Sequence, residues 1–315
     1  LSLCLGPDPD RDSVAYREAI ELAVREANAA GGPLPGRRVD VVVADSCYDP
    51  ALAASEAQRL IDAGAVAILG DGGSSTTLAI ARDVASVARV PLVSCSATSV
   101  LLTEFNARST TMSGRFFART APPDDRQAEV LADIVRNEGM CTRLAILHQA
   151  DEYGMPLARD ITAGLMGSGT MVVATIDYDY GSASYTPQVT EVAAAMPDCV
   201  ALIAYPREAG IILRNWEALP SAPVVRWIGG DGLRSSDFLP QAGSAARIDG
   251  FLGSAPVTDL AAPEYQTFRD RLRGAYARPD TYEPRPYTAN CYDAAALVLL
   301  GIAEAESTEG DAIRD

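Results

Sequence analysis

The sequence predicts an α/β protein of two doubly wound parallel-sheet lobes joined by multiple hinge crossovers. Three observations carry that prediction. Short β-rich runs alternate with helical stretches along most of the chain; a turn-rich break at Ala121-Pro122-Pro123-Asp124-Asp125 divides the alternation into two series; and 315 residues with 48% hydrophobic content suffice for two buried cores. Aromatic residues make up only 6%, so those cores must be mainly aliphatic.

In the first series, strands are expected at Leu1 to Leu5, Arg38 to Ala44, Val66 to Gly70 and Val90 to Ser94. Helices are expected between them at Ser13 to Ala30, Pro50 to Ala63 and Thr76 to Ala88. The first helix shows its apolar stripe in Ala15, Ala19, Leu22, Ala23 and Ala27, and Gly31 and Gly32 stop it. The third follows a glycine turn and the N-cap residue types Ser74 and Ser75. In the second series, helices are expected near Arg126 to Asn137, Glu152 to Met166, Thr186 to Ala195 and Arg207 to Ala218. Its strands fall near Arg143 to Gln149, Met171 to Asp177, Cys199 to Tyr205 and Val225 to Gly229. From about Gly250 the pattern is less regular, with Pro279, Pro284 and Pro286 before a last helix at Asn290 to Glu306. That helix is expected to pack back on the first series, which gives lobe 1 as residues 1–121 with 250–315 and lobe 2 as residues 122–249.

Composition removes whole classes of function. Subtracting 42 acidic from 26 basic residues gives a net charge of −16, a poor match for nucleic acid or an anionic membrane. Every basic residue is Arg and none is Lys, which excludes Walker-type phosphate loops, Schiff-base enzymes and pyridoxal-phosphate enzymes. A single histidine, His148, excludes multi-histidine metal sites and reads better as a strand-end residue than as a general base. No apolar run approaches the ~20 residues of a membrane span. The chain begins at Leu1 with neither an initiator Met nor a signal sequence, the pattern of a trimmed mature protein. Six widely spaced cysteines without a CxxC pair favour disulfides in an oxidising compartment, although buried free thiols fit the same spacing.

In open α/β sheets small ligands bind beyond the C-terminal strand ends. After the third strand comes Gly70-Asp71-Gly72-Gly73-Ser74-Ser75-Thr76, and after the fourth Ser94-Cys95-Ser96-Ala97-Thr98-Ser99. Together they suit an uncharged cradle for one carboxylate, and they equally suit ordinary helix capping. The second half offers Asp151, Glu152, Tyr153, Tyr205 and Asp231 at its strand ends. An acid with aromatic walls is what an ammonium group requires, whereas Asp231 within Gly229-Gly230-Asp231-Gly232 also suits a plain turn.

These residues carry a resemblance. The run from Ala19 to Gly32, Asp45-Ser46-Cys47-Tyr48-Asp49-Pro50, and Ser94 to Thr103 in the pattern S-x-x-A-T-x-x-x-L-T resemble the leucine-isoleucine-valine-binding family of type I periplasmic solute-binding proteins. Phe117-Ala118-Arg119-Thr120, Asp151-Glu152-Tyr153-Gly154, Gly229 to Gly232 and Tyr292-Asp293-Ala294 extend it over nearly the whole chain. The resemblance implies an amino acid held in an interlobe cleft. Its carboxylate would lie on Ser74, Ser96, Ala97 and Thr98, its ammonium against Tyr153, Tyr205 and Asp231, and its side chain near Asp12. Asp231 stands where the branched-chain binders carry glutamate. The loop Pro7-Asp8-Pro9-Asp10-Arg11-Asp12 replaces the family's usual turn and makes a polar or cationic ligand conceivable. The chain also stops soon after its last helix, where the family normally has a further C-terminal segment.

The resemblance further implies a periplasmic or extracytoplasmic monomer, with a lipid anchor on the precursor as one form. It would work with ABC permease membrane subunits, without direct membrane insertion, nucleic acid, cofactor or metal, and without catalysis. A ligand-sensing receptor domain of the same fold is the alternative, as is a carboxylate-only or amide ligand. Cys47 matches a family cysteine whose usual partner position is Gly73, so pairing with Cys95 is expected instead. Cys141 and Cys199, ahead of adjacent strands, form the second expected pair and leave Cys4 with Cys291.

Overall fold

The computed structural model describes residues 11–108 and 115–315, so the strand expected at Leu1 to Leu5, the loop before Arg11 and Cys4 lie outside the described residues. The chain divides into two compact units, one made of the residues through Pro122 with Val257–Asp315, the other of Pro123–Pro256. The second crossing falls beyond the Gly250 expected from the sequence because Leu252–Gly253 is a strand of the second unit's sheet. Two residues are too few to show a period.

In the first unit, β1 (Ile68–Leu69), β2 (Leu92–Ser94) and β3 (Phe117–Arg119) form a parallel sheet in that order. No ladder forms over Arg38 to Ala44 among the described residues, contrary to expectation. The side-chain amide of Asn28 instead takes both backbone groups of Val39, donating to its carbonyl at 2.8 Å and accepting from its N–H at 2.9 Å. The helix Pro50–Asp62 starts where Asp49 accepts from the Ala51 and Leu52 amides, with Pro50 at a position that needs no donor. Helices Arg11–Ala29 and Thr288–Ala305 share one core through Ala19, Ile20, Ala23, Ala294, Ala295 and Val298. Thr288–Ala305 is not the last helix, because Gly310–Arg314 follows it. β3 and the helices Val100–Arg108 and Pro263–Ala275 lie outside the elements expected from the sequence.

The second unit holds β4 (Arg143–Gln149), β5 (Met171–Tyr178), β6 (Cys199–Ile203), β7 (Arg226–Gly229) and β8 (Leu252–Gly253), all parallel, in the order β5-β4-β6-β7-β8. Alternation along β4 buries both faces of the sheet. Leu144 and Ile146 enter a core with the helices Asp124–Asp133 and Gly154–Gly164. Ala145 and Leu147 enter another with Thr186–Ala194 and Pro206–Glu217.

Two disulfides close four of the five described cysteines. Cys141 bonds Cys199, as expected, and ties β4 to β6 at their N-terminal ends with 5.8 Å between Cα atoms. The expected Cys47–Cys95 bond is overturned: Cys95 bonds Cys291, Cα atoms 4.7 Å apart, which also removes Cys291 as a partner for Cys4. Cys47 is an exposed free thiol. The reason is packing. Cys95 and Cys291 are both buried in the core shared with Thr288–Ala305, while the ring of Tyr48 lies 3.0 Å from where a Cβ on Gly73 would stand.

Candidate ligand-binding site

In the first unit the two hydroxyl-rich loops after β1 and β2 are knitted to each other. Ser74 begins a helix that runs to Ile80, and its Oγ accepts from the Ser99 amide at 3.2 Å. Ser96 Oγ donates to the Gly72 carbonyl at 3.2 Å, and Ser94 Oγ donates to the Asp71 carbonyl at 2.8 Å. The Ala97 amide is already given to Ser94 Oγ at 3.1 Å, so that expected site residue contributes no free donor. Thr98 is buried, and among the described residues its hydroxyl has no hydrogen-bond partner. The structure thus brings Ser74, Ser96, Ala97 and Thr98 together.

Two further residues shape these loops. Asp71, 1% exposed, accepts from the Ser46 hydroxyl at 2.6 Å and from the Gly72 and Gly73 amides. The first unit therefore carries a buried acid beside its hydroxyls, and the amides left for a ligand begin at Ser74. The only sequence signal for this was an Asp inside a glycine turn. Tyr48 roofs the same turn, with its hydroxyl 3.5 Å and Ser96 Oγ 3.8 Å from the point where a Cβ on Gly72 would stand.

In the second unit the chain leaves β4 and β6 towards opposite faces of the sheet, since the helices that follow lie on different cores. That reversal between neighbouring strands opens a crevice at their C-terminal ends, the general ligand position in such sheets. Tyr153 follows β4, Tyr205 follows β6 and Asp231 follows β7. The Tyr153 hydroxyl donates to Asp231 Oδ1 at 2.9 Å and accepts from the Gly232 amide at 3.4 Å; its ring stacks on Tyr205 with centroids 5.6 Å apart. Burial first, then the charges of Asp231 and Asp124, push the Tyr153 pKa well above the ordinary tyrosine value, so it stays a neutral donor. Asp151 does not join this group as a ligand acid. It accepts from the Tyr153 and Gly154 amides and from Gln149 Nε2, which starts the helix Gly154–Gly164.

Residues 9–315 match the family model described as periplasmic binding protein. The chain belongs to that family. A relative named chemotactic signal transduction system substrate-binding protein, from Halobacterium salinarum, is 32% identical over 94% of the chain, which spans 66% of that relative's length. A Leu/Ile/Val-binding protein from Rhizobium johnstonii is 27% identical over 93% of the chain and 75% of its own length. Among solved structures, a branched-chain amino acid transporter substrate-binding protein from Streptococcus pneumoniae, in complex with isoleucine, superposes with a TM-score of 0.77 at 24% identity. That superposition covers 96% of this chain and 82% of the other, and shows a shared fold.

Other candidate groups in this periplasmic binding protein are engaged structurally. Asp12 accepts from Arg285 Nη1 at 3.0 Å, an ion pair within the first unit that offsets the negative charge expected beside a ligand side chain. His148 points Nδ1 at the Gln149 carbonyl, 2.8 Å away, as a strand-end residue does. Among the described residues, the cluster of metal-ligating types is Cys141, Asp198 and Cys199. Its sulfurs are bonded to each other, and Asp198 accepts from the Thr142 and Arg143 amides. No described helix is long and apolar enough to cross a membrane.

Proposed function

We propose that the chain captures a small amino acid or related zwitterion outside the cytoplasm and passes it to ABC permease membrane subunits without changing it covalently. Ser74, Ser96 and Thr98 would take the carboxylate. Asp231, walled by Tyr153 and Tyr205, would take the ammonium, and each unit would supply half of the recognition. The observation that carries this reading is the acid held by a tyrosine hydroxyl at the strand-end crevice of the second unit. A buried ammonium needs an acid or aromatic faces, and this cluster offers both. The names of the Rhizobium relative and the Streptococcus structure point the same way. Two disulfides suit an oxidising compartment.

A second reading is favoured by the Halobacterium relative, whose name places it in chemotactic signalling. In that reading the same site reports ligand to a receptor rather than a permease. Mass spectrometry of small molecules released from the purified protein, followed by calorimetry with the amino acids, tests the capture function common to both. Failure to bind any amino acid refutes it. Co-purification with permease subunits against receptor proteins separates the two uses.

A further inference from the structure

We infer that Arg119 is the positioning residue of the first unit's anion cradle. Arg119 ends β3, beside Ser94 of β2 in the sheet register, and its guanidinium reaches across to the loop that carries Thr98. Nη1 donates to the Ala97 carbonyl at 3.2 Å and to the Ser99 carbonyl at 2.9 Å, and Nη2 donates to Thr103 Oγ1. Both clamped carbonyls belong to peptides whose other ends are the amides of Thr98 and Val100. In a trans peptide C=O and N–H point in opposite directions, so holding the two oxygens on Arg119 turns the two N–H groups away from it. Among the described residues, neither of those N–H groups donates to a protein acceptor. A cation on the carbonyl end of a peptide also polarises its N–H end, which strengthens that donor towards an anion. The amides beside them are accounted for: Ala97, before Thr98, donates to Ser94 Oγ, and Ser99, between the two, donates to Ser74 Oγ.

Arg119 therefore selects which amides face the ligand, and it does so without touching the ligand. Only a planar fork of donors spans two carbonyls and a hydroxyl at fixed angles, so lysine is no substitute. This inference rests on the proposed carboxylate site, and it has a readout that does not need a ligand.

The test compares the parent with Arg119→Gln and Arg119→Lys. In amide nitrogen–proton spectra of the ligand-free protein, the Thr98 and Val100 resonances should move in Arg119→Gln. In calorimetry, Arg119→Gln should weaken L-leucine and 4-methyl-2-oxopentanoate alike, by about tenfold or more, as expected for losing an oriented donor to a charged group. L-Leucinamide, whose neutral carboxamide oxygen accepts more weakly than a carboxylate, should lose clearly less. Arg119→Lys should restore only part of the loss. Thr98 and Val100 resonances that stay in place overturn the inference, and so does an equal loss for L-leucine and L-leucinamide, which marks general damage to the fold. If the parent binds none of these probes, leucine is not its ligand, the calorimetry against the other amino acids decides the proposed function, and the spectra alone decide the role of Arg119.

Discussion

Replacing Asp231 with Asn keeps the size of the side chain and removes its charge. In the parent, one carboxylate oxygen is held by the Tyr153 hydroxyl at 2.9 Å and the side chain is buried, with 8% of the residue exposed. An ammonium brought against the other oxygen would form a largely desolvated pair. Removing one partner of such a pair costs about 2–5 kcal/mol of binding, which is roughly 30- to 4,000-fold in Kd. Asn can still accept from Tyr153, so a change in Tm of only a few degrees is expected, and the fold serves as its own control. Calorimetry should show the full loss for L-leucine and almost none for 4-methyl-2-oxopentanoate, which lacks the amine. Equal affinity of parent and Asp231→Asn for L-leucine would falsify the zwitterion reading and favour a carboxylate-only or neutral amide ligand.

Non-reducing peptide mapping should find Cys95 linked to Cys291 and Cys141 to Cys199, with Cys47 alkylated in the native protein; reduction should lower stability by about 2–5 kcal/mol per bridge, and a Cys47–Cys95 peptide would contradict the packing described. Gly232→Ala places a Cβ 2.7 Å from the Ala204 carbonyl, a backbone atom that cannot swing aside. It should therefore destabilise the protein by about 1–3 kcal/mol and weaken L-leucine binding, and a variant with parental melting and affinity would refute that contact. Tyr276 is pushed up to about 12, by burial and then by Glu21, and Tyr153 is raised well above 10.0 by burial and then Asp231. With folded values above unfolded ones, their contribution to stability is complete below about pH 10 and is lost as pH rises towards 12. Denaturant titrations from pH 8 to 12 should show that decline, less steeply in Tyr276→Phe.

Legibility in the sequence followed burial. β4 could be read to the residue because a run buried on both faces is apolar at every position from Leu144 to Leu147. The helix Pro263–Ala275 buries only Tyr265, Phe268 and Leu272 and carries five charged residues among the rest; set between proline-rich stretches, it reads as irregular. β8 and β1 have two residues each, and a strand that short has no period to detect. The candidate site divides the same way. Tyr153, Tyr205 and Asp231 could be found from strand ends alone, since topology brings those ends together. Asp71 and Arg119 could not, because nothing in their neighbours' identity tells which side chain turns inward or which carbonyls it meets. The expected Cys47–Cys95 pair failed for that reason too, while Cys141–Cys199 held: spacing along the chain does not reveal that Cys95 faces Thr288–Ala305 rather than Cys47.

The bond between Cys95 and Cys291 has a temporal consequence. Cys95 sits between Ser94 and Ser96, inside the loop that carries Thr98, and Cys291 lies in the first turns of Thr288–Ala305. Where thiols are kept reduced, that loop hangs from its own strand and helix and from hydrogen bonds; where they are oxidised, it is stapled to a helix 196 residues further along the chain. The loop is thus tied to that helix only after Cys291 has been made, has folded and has been oxidised. On the proposed function, a chain whose thiols are still reduced would hold a small anion less firmly than the oxidised one.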